Sequence, residues 1–457
     1  MRGATLIRIY IAAALASAAA CASARAPADR LSQLDGPQYT CMGAERAASK
    51  SGVAAWTGKF LGAWPGMANG PGYDPGPYAA ERPLYTVTAQ NAEQYAAQLG
   101  EGQRALLRKY PQNFRLPVYP SHRDFRYADR VCAIVKQNAA TAELRADGLA
   151  TAQLLGGIPF PFPQNGLEAI WNSLRGAGEW NDAVTYDIAD VYGNGSIAWG
   201  RTRLKVLVPA NDPKLAAPLP SARQEALAWF YHEQLLPERD KGIISSGDTP
   251  IDYASGQLNA WVYNPGLRRV KQAMDVGADY AVPPAGLHTV DDESLFNGTP
   301  EHFDWKLLGK REMLVPYHAF KVNDPALKYK DLVLPGTLNP DAQRYELHRV
   351  WVVEGRLKAG ERHVYSRRTL YIDEDTWLPL WSDCYDLRGQ LWRSSYVDYF
   401  YSPESQAFER GVIVYHDLSL GAYEAQYLVN ESRQWWKFND AELRQNMFGQ
   451  AALAHGH

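Results

Sequence analysis

Residues 366–396, Ser-Arg-Arg-Thr-Leu-Tyr-Ile-Asp-Glu-Asp-Thr-Trp-Leu-Pro-Leu-Trp-Ser-Asp-Cys-Tyr-Asp-Leu-Arg-Gly-Gln-Leu-Trp-Arg-Ser-Ser-Tyr, leave the chain few ways to fold. Branched and aromatic residues in short runs suit a pleated surface. Asp373-Glu374-Asp375-Thr376 and Asp386-Leu387-Arg388-Gly389 supply turn chemistry between them. The stretch predicts three antiparallel strands. The pattern recurs: Val184, Tyr186 and Ile188 alternate with Thr185 and Asp187, Gly193-Asn194-Gly195 reads as a hairpin turn, and Leu204, Val206 and Val208 return. Further strands are expected at 229–236, 258–263, 305–315, 345–357, 364–372, 379–385, 391–401, 412–418 and 423–429. Tyr345, Leu347, Trp351 and Val353 alternate with Glu346, His348, Glu354 and Arg356, which predicts a sheet with one wet face. About ten or eleven such strands would curl into a barrel or an open half-barrel.

The N-terminus reads as an export signal. Arg2 and Arg8 precede an apolar run, Ile9 to Ala20, too short to span a bilayer comfortably. Ala22-Ser23-Ala24 fits cleavage of a soluble periplasmic protein, with residues 1–24 as the signal peptide. Ala18-Ala19-Ala20-Cys21 resembles a lipobox and would make Cys21 the lipidated end of an outer-membrane lipoprotein. No later stretch is apolar enough to form a membrane-spanning helix. The net charge of −3 gives no electrostatic footprint for nucleic acid. Cys41, Cys132 and Cys384 remain beyond Cys21. One pair could close in an oxidising compartment, or all three could be buried thiols.

Residues 27–163 read as an N-terminal wrapping segment. Gly and Pro crowd 62–83, and helices are expected over 91–109 and 127–144. The extended Gly157-Ile-Pro-Phe-Pro-Phe-Pro leads to Asn165, a cap for a short helix carrying Leu167, Ile170 and Trp171. Residues 164–457 would then form the half-barrel domain. Asp279 to Gly298 is expected as a loop over the mouth of the sheet, with Asp291-Asp292-Glu293 complementing a helix dipole. Residues 440–448 are expected as a short helix before a loose tail.

Catalytic signatures are missing. There is no G-x-S-x-G or H-E-x-x-H, and neither Gly176-Ala177-Gly178 nor Gly309-Lys310 completes a nucleotide-binding pattern. No catalytic residue, metal ligand set or cofactor is therefore assigned. Asp373, Glu374 and Asp375 could hold a cation, but a tight turn explains them without one. Arg268-Arg269 and Arg367-Arg368 read either as solvated strand ends or as contacts for an anionic head group or a partner.

Several blocks resemble one family. Trp261-Val-Tyr-Asn-Pro-Gly-Leu-Arg-Arg-Val-Lys-Gln-Ala, Asp291-Asp-Glu-Ser-Leu-Phe-Asn-Gly, Asp304-Trp-Lys-Leu-Leu-Gly-Lys-Arg-Glu, Pro335-Gly-Thr-Leu-Asn-Pro-Asp and Tyr345-Glu-Leu-His-Arg-Val-Trp-Val-Val-Glu are similar to the domain-of-unknown-function family numbered 1329. So are Gly157-Ile-Pro-Phe-Pro and Tyr371-Ile-Asp-Glu-Asp-Thr-Trp, and the likeness runs from about Gly43 to Asn430. The resemblance implies a mainly β, α+β fold: an unclosed antiparallel half-barrel like LolA and LolB, with helices across its concave face. It implies a periplasmic, non-catalytic carrier of a lipid, a lipoprotein acyl chain or another hydrophobic molecule. An inner-membrane exporter or outer-membrane protein would be its partner. The ligand cavity would be lined by Leu167, Ile170, Trp171, Tyr345, Leu347, Trp351 and Val353. The alternatives are a structural or transporter-accessory envelope protein, and an enzyme on a β scaffold.

Overall fold

The computed structural model describes residues 27–59, 61, 63–67, 71–152, 155–215, 226–256, 258–273 and 277–454. The expected signal peptide and Cys21 lie outside them. Sixteen strands share one sheet. They are β1 (Tyr85–Val87), β2 (Leu116–Val118), β3 (Asn181–Val191), β4 (Ile197–Leu207), β5 (Ala226–Leu236), β6 (Ile244–Pro250), β7 (Asn259–Asn264), β8 (Arg269–Gln272), β9 (Phe303–Pro316), β10 (Tyr345–Leu357), β11 (Arg367–Asp373), β12 (Pro379–Tyr385), β13 (Leu391–Ser402), β14 (Ala407–Asp417), β15 (Ala422–Leu428) and β16 (Lys437–Phe438).

Two runs of hairpins, β9 to β15 and β3 to β8, are each built by neighbours in sequence. They join where β15 pairs with β3, Tyr423 opposite Val191 and Ala425 opposite Ala189. The result is an unclosed sheet of thirteen consecutive antiparallel strands, more than the ten or eleven expected, with β9 and β8 at its ends. The turns form as their residues dictate. The Asp373 carboxylate accepts from the Thr376 amide at 3.1 Å, and Gly389 closes the next turn at a φ of +76°.

From β10 to β15 the expected wet face is largely covered, with Arg356 left exposed at the end of β10. Every residue of β12 and β15 is buried, and in β10 Glu346, His348, Arg349 and Glu354 are buried along with the apolar set. The cause is the N-terminal segment, which covers both sides. On one side the Trp377 indole donates to the Met42 carbonyl at 2.9 Å and Arg349 donates to the Ala47 carbonyl at 2.7 Å. On the other side helix α1 (Glu101–Lys109) lies across β12 and β13. There the Gly102 amide donates to Asp383 at 3.0 Å, and a Cβ on Gly102 would stand 1.9 Å from the Ser394 hydroxyl. The apolar residues of this segment, from Leu34 to Val118, belong to the same core as the sheet. Of the two expected N-terminal helices, the first breaks at Leu99-Gly100 into a 3-10 stretch, Ala92–Gln98, and α1. The second, α2 (Asp129–Thr141), is tied by a Cys41–Cys132 disulfide with a Cα separation of 5.2 Å, and Cys384 is a buried thiol.

Asn165 caps helix α3 (Gly166–Leu174), accepting from the Glu168 amide at 2.9 Å. Gly166 comes so close to the β9 backbone that a Cβ would meet Trp305 and Lys306 at 2.6 Å. The helix thus covers part of an edge strand that would otherwise offer itself for pairing.

Arg368 corrects the reading of a solvated strand end. Its guanidinium is fully buried and donates to Asp291 at 2.6 Å, and it also pairs with Asp292. Burial pushes the Asp291 carboxyl up, but Arg368 and His363 hold it well below the ordinary range. The acidic run is a cap, with Thr289 and Asp292 bonded reciprocally, and it is also the counter-charge that latches the 279–298 loop to β11. Arg367 is half-buried, stacked 3.5 Å over Tyr385 and bonded to Glu354 at 3.2 Å.

At the seam, Asp190 on β3 faces Glu424 on β15, and His288 sits 3.2 Å from Glu424. Burial and then the Glu424 charge push Asp190 up to about 8. Burial pushes the Glu424 carboxyl up, but His288 and the hydrogen bonds of Asp190 and Gln426 together lower it.

Two outcomes are expected. Arg368→Met strands two buried carboxylates and should lower unfolding stability by about 3–5 kcal/mol in urea titrations; Arg367→Met should cost about 1 kcal/mol or less. Asp190 has a folded value above its unfolded one, so its contribution is full at low pH and is lost as pH rises through about 8. Asp190→Asn should therefore melt close to wild type near pH 4, about the unfolded pKa of the carboxyl, and several degrees higher near pH 9. Equal melting at both pH values would remove Asp190 as the titrating group.

Candidate ligand trough under the C-terminal helix

The register of β4 to β8 places one set of side chains on a single face. Leu207 stands opposite Trp229, Tyr231 opposite Ser246, Ser246 opposite Trp261, Ile244 opposite Tyr263 and Tyr263 opposite Val270. The period of two in the sequence is what lines them up. They make an aromatic trough with a small core of its own, separate from the main one. Trp229, Trp261, Tyr263 and Val270 are only half-buried.

Residues 443–454 lie on this trough. Leu443, Phe448 and Leu453 are buried in it, the last on helix α4 (Gly449–Ala454). The helix begins nine residues later than the 440 start expected from sequence, and it is a cover instead of a loose tail. The Gly449 amide donates to the Ser246 hydroxyl at 2.9 Å. Its φ of +71° favours glycine, and a Cβ there would stand 3.5 Å from the Trp229 ring and 4.0 Å from the Trp261 ring.

Both ends of the trough are polar. At one end Asn259 donates to Asp248 at 2.9 Å, and burial raises the Asp248 carboxyl. At the other, Arg203 pairs with Glu233 at 2.6 Å and Lys205 sits 4.9 Å over the Tyr231 ring. The Tyr231 hydroxyl reaches Glu233 at 3.3 Å. It is pushed up to about 12 by burial and then by the Glu233 charge. Beyond Tyr263 the β7–β8 turn adds Arg268 and Arg269, both exposed at this charged end.

The residues expected to line one cavity are distributed between packed clusters. Ile170, Tyr345, Leu347 and Val353 are in the main core. Trp171 is fully buried beside Tyr253, its ring 5.9 Å away and its indole donating to the Gly148 carbonyl at 3.0 Å. Leu167 lines a cavity of about 260 Å³ with Phe303 and Trp305. Trp351 is half-buried, stacked on Trp377 at 5.7 Å under the Lys310 ammonium. A larger cavity of about 480 Å³ lies beside the disulfide, lined by Met42, Trp56, Tyr127 and Asp375 among others. The trough was not expected from sequence. Its signal was the repeat of Trp and Tyr two apart, Trp229 with Tyr231 and Trp261 with Tyr263.

No helix among the described residues is long and apolar enough to cross a membrane. Uncharacterized protein PA3922 of Pseudomonas aeruginosa is 37% identical over 419 residues, covering 90% of each chain. Similar solved structures include a DUF1329 family protein from Desulfovibrio piger, 14% identical over 60% of this chain and 92% of that one, with a TM-score of 0.39. Another is the LolA superfamily protein NE2245 from Nitrosomonas europaea, 11% identical over 64% of this chain and all of the other, with a TM-score of 0.37. The family described as "Protein of unknown function (DUF1329)" matches residues 86–454, so the chain belongs to the DUF1329 family.

Proposed function

We propose that the protein is a non-catalytic periplasmic carrier of an amphiphile with an acyl or comparable apolar tail and an anionic head. The aromatic trough is the observation that carries this reading. It is a half-buried apolar surface covered by a six-residue helix, which on this reading gives way to the ligand. Burying an acyl chain there is favourable by area alone, about 25 cal/mol per Å². Arg268 and Arg269, exposed in the β7–β8 turn, are the cations this reading assigns to the head group. The Cys41–Cys132 disulfide agrees with an oxidising compartment. An export signal over residues 1–24, as expected from the sequence, would give the same address, with attachment to the outer membrane through Cys21 as its second form. Transfer would end on an inner-membrane exporter or an outer-membrane protein.

Displacement of a fluorescent fatty acid tests the reading. Wild type should bind, and Trp261→Glu should weaken binding at least about tenfold, ~1.4 kcal/mol, with the far-UV circular dichroism unchanged. A Phe448→Ser, Leu453→Ser double variant, which loosens the cover, should bind more tightly than wild type. Arg268→Glu with Arg269→Glu should weaken a fatty acid and spare its neutral alcohol. If neither wild type nor the loosened variant takes up any amphiphile, the carrier reading fails. A structural envelope role would then replace it, in keeping with the packed interior of β9 to β15.

A further inference from the structure

His348, Asp373 and Asp375 come together by register. Val350 on β10 pairs with Asp373 on β11, so the next step of the same ladder sets His348 against Asp375 just past the strand end. The Glu374 amide donates to the Arg349 carbonyl at 3.0 Å and keeps that register in the turn. The three side chains therefore share one face, and one ligand atom from each lies within 4.8 Å of the others. All three residues are buried, His348 and Asp373 completely.

Two atoms of these side chains have no hydrogen-bond partner among the described residues: Nδ1 of His348 and Oδ1 of Asp373. Buried polar atoms are rarely left so. The other atom of each side chain is held in place. Nε2 of His348 is 3.3 Å from the Glu346 carboxylate, and the Tyr317 ring stacks 3.8 Å from the imidazole. Oδ2 of Asp373 accepts from the Tyr317 hydroxyl at 3.0 Å and from the Thr376 hydroxyl at 2.7 Å. Asp375 is clamped by Arg123 at 2.6 and 2.7 Å, and each carboxylate oxygen keeps a second lone pair. Ligand atoms left free while their partners are oriented is the arrangement seen around bound metals. Asp375 also lines the cavity of about 480 Å³, together with Asp35, Arg46 and Lys136.

We propose that His348, Asp373 and Asp375 form a binding site for one divalent first-row transition ion. One imidazole and two carboxylates suit zinc or manganese. The ion bridges β10 to the β11–β12 turn and, through Arg123, ties the N-terminal segment to them. The site is remote in sequence from the trough and does not depend on the carrier reading.

The test uses the full mature chain without an affinity tag, with His455→Ala and His457→Ala to remove the terminal histidines as chelators. After dialysis against EDTA, zinc or manganese is added, excess is removed by gel filtration, and the metal is counted by mass spectrometry. One ion per chain and a raised melting temperature are expected. Crystals should show an anomalous peak between His348 and Asp373. Asp373→Asn should weaken binding at least about tenfold. Asp341→Asn, an exposed residue paired with Arg115, should leave it unchanged. A folded wild type that retains no metal overturns the proposal. So does an Asp373→Asn protein of undiminished affinity, or an anomalous peak elsewhere with only a water at His348.

Discussion

The pairing of β15 with β3 holds the molecule together. Each run of hairpins can zip from its own turns, but neither run alone explains the covered interior. Tyr423 meets Val191 across more than two hundred residues of chain. Such non-local pairings carry a loop-closure cost before they return anything. The seam also collects charge: Asp190 and Glu424 face one another in a buried ladder, and a single histidine offsets them. A shared proton between the carboxyls is the cheap solution, which is why one is raised and the other lowered.

Once the seam is made, the two halves differ in what covers them. The β9 to β15 half has the N-terminal segment on both faces, so its polar alternation turns inward and must be neutralised. Arg368 with Asp291 and Asp292, Arg123 with Asp375, and Arg344 with Glu346 are the consequence. A buried ion pair adds little net stability, but it makes the position of each covering segment specific, since a displaced loop would strand a charge. On the aromatic face of the β4 to β8 half the described residues that pack are those of 443–454, and the face keeps Trp229, Trp261 and Tyr263 half-buried.

Local pattern carried most of the strands. The expected bounds of 345–357 and 379–385 coincide with β10 and β12, because alternation is strong and turn residues flank it. β6, Ile244-Ser-Ser-Gly-Asp-Thr-Pro, was not among the expected strands, and Gly247 has the place because a Cβ there would stand 1.8 Å from the Asn259 carbonyl. Its neighbours β5 and β7 impose the strand, a tertiary decision that propensity cannot register. Arg368 looked solvated because its partners lie more than seventy residues away in a loop. The Asp373-Glu374-Asp375 turn was legible as a turn, but not its meeting with His348, which needs the β10–β11 register. In the same way Trp261 and Tyr263 were legible as a strand, and the trough they help form was not.

The cover of the trough follows from the same arithmetic. A six-residue helix is far below the length at which helices hold by themselves, so α4 exists only because the trough accepts it. Burying Leu443, Phe448 and Leu453 favours the cover by about 1.5–3 kcal/mol for each side chain, and ordering residues 443–454 opposes it by about 1–2 kcal/mol for each residue. Under the carrier proposal an acyl chain would compete for the same apolar area and would bring no backbone to order, so changes at Phe448 or Leu453 would shift the exchange without disturbing the sheet beneath.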